Sequence, residues 1–297
     1  MDPVTLRNGP LGVVLAPAVG GSIARFWSEA GRRPVELLRA APDAAMRERD
    51  PSAMASFPLV PWSNRIRHGR FTFGARAVTL PPSRPGDRHA IHGHGFRAAW
   101  QVMDVGPALA LLEYRHAADT WPWAYRAVQR VALTAAALEL ELRLTNESDA
   151  PMPAGLGWHP YFPRTPETTL TASVAALWLT DAEILPVSRV APPGDRDPGP
   201  GLAVDRVSLD NAFVGWPGRA VVAWPEGEAR LRLEATEPLR TLVVYTPPGR
   251  PFFCAEPVSH ITDAFNLAAA GQADTGMLTL QPGETVRAGL SLTPELA

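Results

Sequence analysis

Two ionisable side chains stand in settings that suit proton transfer. Glu256 lies in "PFFCAEPVSH", residues 251–260, directly after the apolar run Phe252 to Ala255 and before Pro257. A carboxyl group buried there is desolvated, which raises its pKa toward neutrality and makes it an effective general base. The other reading is a glutamate capping a surface turn. His159 lies in "GLGWHPYFPR", residues 155–164. Pro160 pushes it toward extended backbone. Trp158, Tyr161 and Phe162 could shield the imidazole or offer faces to the C–H groups of a sugar, although a buried structural histidine fits as well.

Three further stretches could join them. In "RHAIHGHGF", residues 88–96, His92 and His94 are two apart. On a strand they would share a face, as a metal pair or as part of a wet pocket. In a turn they would face solvent. A metal pair needs a third ligand, for which His159 or Glu256 could serve, but no H-E-x-x-H spacing occurs and no metal is expected. In "FPLVPWSNRIRHGRF", residues 57–71, Asn64 and Arg65 could donate several hydrogen bonds to hydroxyl oxygens. With Arg67 and Arg70 nearby, a solvated basic turn is the alternative. Asp210 in "SLDNAF" could face a pocket or form an Asx turn.

The elements that would position these residues read as strands. Leu138, Leu140, Leu142 and Leu144 alternate with Glu139, Glu141, Arg143 and Thr145. Leu231, Leu233 and Ala235 alternate with Arg230, Arg232 and Glu234, and Val286, Ala288, Leu290 and Leu292 repeat the period near the end. A period of two marks a sheet with one buried face. "TLVVYTP" reads as a strand buried on both faces. The 32 prolines and 24 glycines are spread between such runs as turn residues. Residues 35–49 are the best helix candidate, and residues 190–201 ("VAPPGDRDPGPG") read as a surface loop. "GPLGVVLAPAVGGS" after Arg7 faintly resembles a signal peptide, but two strands joined at Gly20 and Gly21 explain it better. With few helices for parallel crossovers, the fold class expected is all-β: a single large antiparallel β-sandwich occupying residues 1–297 as one domain.

Composition narrows the function classes. Of the 297 residues 46% are hydrophobic and 20% charged, and the formal net charge is −2. That is ordinary for a globular protein and gives no reason to expect nucleic acid or a membrane surface as partner. No apolar stretch approaches the ~18 residues of a membrane span. Cys254 is the sole cysteine, so neither an internal disulfide nor a cysteine zinc site can form. This fits a reducing compartment, and a cytoplasmic location is expected.

In this order the motifs resemble the aldose 1-epimerase (galactose mutarotase-like) family. They are Asn64-Arg65-Ile66, His92-Gly93 with Trp100, His159-Pro160-Tyr161-Phe162, Asp210 with Phe213, and Glu256-Pro257. The resemblance implies the supersandwich fold of that family and a reaction on a free aldohexose. Glu256 would take the proton from the anomeric O1, and His159 would protonate the ring oxygen. The ring opens, the aldehyde rotates, and reclosure gives the other anomer. His92 would donate to the ring oxygen or a nearby hydroxyl, while Asn64, Arg65 and Asp210 would hold hydroxyls. No cofactor is implied, and the chain would act as a monomer or homodimer on a small sugar.

The substrate is less defined. "HGHGF" replaces the more usual H-G-G. Related hexose-6-phosphate 1-epimerases hold phosphate with arginines, and Arg84, Arg88 and Arg97 keep an acidic hexose open, although that group's R-G-G-I-P segment is absent. A neutral aldohexose is the expectation, with a 6-phosphate or 6-sulfonate sugar as the alternative. A non-catalytic carbohydrate-binding protein of the same fold would lack the Glu/His pair. A glycosidase would need two carboxylates, a part Asp210 and Glu256 fit less well.

Overall fold

A computed structural model describes residues 2–31, 33–84 and 86–296. The alternating stretches are strands, and the strand pairings of the two large sheets are antiparallel. Leu138–Asn146 buries every second side chain and lies beside Tyr125–Leu133 and Thr285–Leu296. The strand Thr285–Leu296 is inserted between Leu138–Asn146 and Ala229–Ala235, so the end of the chain joins its two halves into a sheet of nine strands among the described residues. A second sheet, of eight, has Thr241–Tyr245 at its centre, buried on both faces. The apolar faces meet in one core that runs from Leu6 to Leu292 and includes Trp62, Trp100, Trp158 and Trp216. The architecture is the all-β antiparallel sandwich that the period of two implies.

Leu11–Ala16 and Ser22–Ser28 pair across the Gly20–Gly21 turn, where both glycines have positive φ. The helix expected over 35–49 is shorter. Val35–Glu36 pairs with Trp27 and Ser28 as a strand, and only Asp43–Glu48 is helical, starting at Pro42. Proline keeps the residue before it out of the helical region, so the helix starts after Pro42 and not upstream. Residues 190–201 form an exposed connection with one 3₁₀ turn, Gly194–Arg196. No helix among the described residues is long and apolar enough to cross a membrane.

Register in the second sheet places the candidate carboxylates. Asp210 pairs with Tyr245, Val243 with Glu256, and Tyr161 with Cys254. Paired residues share a face, as do residues two apart on one strand. Asp210, Tyr245, Glu256 and Tyr161 therefore all project from the same side of the sheet.

Candidate active site

That side opens into a cavity of about 660 Å³. The sheet supplies Asp210, Tyr245, Phe252 and Glu256. The 159–161 segment supplies His159 and Tyr161, and the loops supply Asn64, Arg65 and His92. All six residues singled out from the sequence as catalytic or sugar-binding thus line one cavity, although they come from positions as far apart in the chain as 64 and 256.

His159 and Glu256 form its floor. His159 Nε2 lies 3.2 Å from Glu256 Oε1, and the two residues are 6% and 2% exposed. Burial pushes the Glu256 carboxyl well above its ordinary range; the Asp210 charge adds to this and Arg65 opposes it. Burial likewise pushes the His159 imidazole down, to about 3. Both shifts favour a pair that is neutral overall, with one proton on the line between Oε1 and Nε2. Glu256 Oε2 is buried and has no hydrogen-bond partner among the described residues.

The imidazole is held by packing and by backbone. The backbone N–H of His159 donates to Phe57 O at 3.0 Å, and the ring packs against Phe57, 4.7 Å away, and against Tyr161, 4.6 Å away and nearly parallel. The Arg39 guanidinium covers the other face of this stack, 4.0 Å from the Tyr161 ring centre. Phe162, the neighbour of Tyr161, points into the core against Phe253. Of Trp158, Tyr161 and Phe162, the aromatic residues beside His159 in sequence, only Tyr161 lines the cavity.

His92 and His94 do not share a face. The segment is a turn with φ of 66° at His92 and 71° at Gly93, and the N–H groups of His94 and Gly95 both donate to Val60 O. A Cβ on Gly93 would lie 2.0 Å from that same oxygen, so the close approach requires glycine. The turn aims His92 into the cavity, 5.2 Å from the His159 ring. Its Nδ1 accepts the Asn64 backbone N–H at 3.1 Å, so its hydrogen sits on Nε2 and can be donated to a ligand. His94 goes the other way, stacking on His116 at 4.4 Å with Nδ1 3.2 Å from Tyr125 Oη. The metal pair that their spacing allowed is therefore not formed.

The hydroxyl-binding candidates are linked. Asn64 Oδ1 accepts from the Arg65 backbone at 2.8 Å and from Arg65 Nη1 at 3.2 Å, and Arg65 Nη2 donates to Asp210 Oδ2 at 3.2 Å. Arg65 is thus fixed between two acceptors, and the solvated-turn reading does not hold. Its partner Asp210 is raised by burial and drawn back by that guanidinium.

The remaining histidines divide. His89 lines the cavity wall, whereas His260 is buried and is not among the lining residues; the His260 Nε2 accepts from Ser63 N–H and its Nδ1 donates to Ile261 O. One group of possible metal ligands occurs among the described residues: His68, His89 and Glu183. His89 Nδ1 accepts the His68 N–H at 3.0 Å, which leaves its hydrogen on Nε2, the atom facing Glu183 at 3.5 Å. A protonated ring nitrogen offers a metal no lone pair, so this group is read as a hydrogen-bonded contact.

Several lining residues were not singled out from the sequence, among them Arg39, Phe57 and Tyr245. Tyr245 was reachable, because it ends the strand of the "TLVVYTP" run. Arg39 and Phe57 carried no signal, since long-range packing alone brings them beside His159.

The family model described as Aldose 1-epimerase matches residues 2–293. YphB of Escherichia coli (strain K12), an uncharacterized protein, is 30% identical over 303 residues, 99% of each chain. A solved Escherichia coli K12 structure is 29% identical with a TM-score of 0.90, covering 100% of this chain and 99% of that one. A galactose mutarotase-like protein from Clostridium acetobutylicum has a TM-score of 0.87 at 20% identity, covering 99% and 95%. The last likeness is one of fold.

Proposed function

The chain belongs to the aldose 1-epimerase family, and we propose that it is a mutarotase that interconverts the α and β anomers of a free aldohexose. The observation that carries this reading is the buried contact between His159 Nε2 and Glu256 Oε1 in the cavity floor. A binding module has no use for two desolvated ionisable groups whose pKa values are displaced in opposite directions.

In the proposed reaction the sugar's O1 and ring oxygen come to the pair. Bound hydroxyls and the Arg65 charge favour the ionised arrangement, with Glu256 as carboxylate and His159 as imidazolium. Glu256 takes the O1 proton and His159 gives its proton to the ring oxygen, so the C1–O5 bond breaks and the aldehyde forms. Both groups end neutral, the state that burial favours, so the proton transfers run downhill for the protein. Rotation about C1–C2 exposes the other carbonyl face, and the reverse transfers close the ring. His92 Nε2–H donates at the ring oxygen or an adjoining hydroxyl, and Asn64, Arg65 and Asp210 hold the hydroxyls farther round. General acid and base steps of this kind each contribute about 10²–10⁴-fold. The chemistry asks for no metal or organic cofactor. Within this proposal the partner is a small sugar, with neither nucleic acid nor membrane involved, and the chain acts in the cytoplasm as a monomer or homodimer.

The test is polarimetry of freshly dissolved α- and β-aldoses across a panel. Relaxation faster than buffer, proportional to protein and reaching the same equilibrium from both anomers, is expected. A panel in which no sugar responds would remove the mutarotase reading.

A further inference from the structure

His260 takes no part in the proposed proton transfers, yet it is buried and both of its ring nitrogens have a backbone partner. Its Nδ1–H donates to Ile261 O at 2.7 Å, which leaves Nε2 without hydrogen to accept the Ser63 N–H at 3.1 Å. The next amide along the chain, that of Asn64, donates to His92 Nδ1 at 3.1 Å. Two imidazoles thus take two successive amide hydrogens. His92 has its remaining N–H for the cavity, whereas His260 has its own tied to the chain that follows Glu256.

The Ser63–Asn64 segment needs such holding. Asn64 has a φ of 55°, in the left-handed region, and a conformation of that kind persists where its surroundings over-determine it. Ser63 is fully buried, so a lost partner for its N–H is not replaced by bulk water. Residues after Glu256 hold both neighbouring parts of the site. Asp263 N–H donates to Arg65 O at 2.9 Å, and Asp263 Oδ1 accepts the Arg67 N–H at 2.9 Å. Ser259 N–H donates to Leu156 O at 2.9 Å and Ser259 Oγ accepts the Leu156 N–H at 3.1 Å, in the segment that leads to His159. The His260 ring sits between these two anchors, so close to Gly155 that a Cβ there would lie 1.9 Å from its Cδ2.

We propose that His260 is a positioning residue for the sugar-binding side of the site. By accepting the Ser63 N–H it fixes the backbone at Asn64, and through the Asn64 N–H it keeps the His92 hydrogen on Nε2, the nitrogen available to a ligand. His260 itself touches no substrate. The acceptor nitrogen carries the role, and the bulk of the ring does not. Without it the Ser63 N–H is orphaned, Asn64 relaxes from its left-handed conformation, and His92 Nδ1 loses the donor that sets its tautomer. The kinetic consequence rests on the mutarotase reading, whereas the consequence for the His92 tautomer does not.

The experiment uses the full chain and its H260F and H260Q variants. Phenylalanine keeps a ring and removes the acceptor; glutamine returns an acceptor oxygen near the place of Nε2. NMR of protein labelled with ¹⁵N-histidine at neutral pH should show one tautomer for each residue in the parent, Nε2–H for His92 and Nδ1–H for His260. In H260F the His92 signals should move to a mixture of tautomers, and in H260Q they should return. On a sugar that the parent turns over, kcat/KM should fall by about tenfold or more in H260F, the scale of one orphaned buried donor. Most of that fall should be in KM, since Asn64 and Arg65 bind hydroxyls that the reaction leaves unchanged. H260Q should recover most of it. An unchanged His92 tautomer in folded H260F would overturn the proposal, as would a changed tautomer with parental kinetics. If H260F does not fold, the parent decides: a His260 found as the Nε2–H tautomer, or a Ser63 amide that exchanges rapidly with solvent, overturns it, and the Nδ1–H tautomer with a protected Ser63 amide supports it. If the parent turns over no sugar, the mutarotase reading fails and the tautomer comparison still decides the role of His260.

Discussion

His159 Nε2 and Glu256 Oε1 stand 3.2 Å apart, on segments almost a hundred residues distant in sequence and almost sealed from solvent. Burial drives their pKa values in opposite directions, down for the imidazole and up for the carboxyl. The contact brings two oppositely perturbed ionisable groups together in the cavity floor, where the proposed proton transfers would take place.

Glu256→Gln keeps the shape of the side chain and removes the base. Anomer exchange should fall by about 100-fold or more in kcat, the low end of a general-base contribution. Near-normal turnover in the folded variant would remove Glu256 from the mechanism. Stability should move the other way. With its pKa raised in the folded protein above the ordinary 4.5, the stability from burying Glu256 neutral is present below about pH 4.5 and is lost as pH rises through the folded pKa. Thermal melts should therefore show Glu256→Gln gaining on the parent as pH increases.

Asp210 raises the Glu256 pKa and Arg65 lowers it. In Asp210→Asn the rising, low-pH limb of the kcat/KM profile should shift to lower pH, and in Arg65→Met to higher pH. Opposite displacements are what a charge effect requires. Loss of hydroxyl binding alone would raise KM in both variants and move neither limb.

Gly93→Ala places a Cβ 2.0 Å from Val60 O at a φ of 71°. A left-handed backbone costs a non-glycine residue roughly 1–2 kcal/mol before any clash is counted. Urea denaturation should show a loss well beyond that figure. His92→Asn, which tolerates positive φ, should instead keep its stability and lose activity.

His260 is neutral and buried, with its pKa down to about 4. The unfolded chain protonates histidine near 6.5. Between those values the unfolded state binds the extra proton, so stability is full above pH 6.5 and falls as pH drops toward 4. The shift corresponds to a loss on the order of 3 kcal/mol by pH 4. His260→Gln should show a shallower slope of unfolding free energy across that window, whatever its absolute stability. An unchanged slope would assign the acid sensitivity to other groups, among them His159 and His94.

Activity should survive prolonged dialysis against a strong chelator. Loss of activity restored by zinc would return the His68, His89 and Glu183 group to consideration as a metal site.

The strands were legible because their signal is local. Alternation in Leu138–Asn146 reports which side chains are buried, and burial acts on each residue through its own transfer from water. The chemical residues were legible for a different reason. Glu256 after four apolar residues and His159 among aromatics are local environments that already imply desolvation. The His92–His94 pair shows the limit. Spacing of two puts side chains on one face only if the backbone is extended, and the positive φ at His92 and Gly93 depends on Val60 O, a contact across 33 residues.

By itself, the sequence determined the all-β class, the buried character of the key strands and the residue types able to move a proton. Tertiary structure alone decided which of them meet. The pairing of Asp210 with Tyr245 and of Glu256 with Val243 is a matter of register, and a slip of one residue would turn either carboxylate to the opposite face.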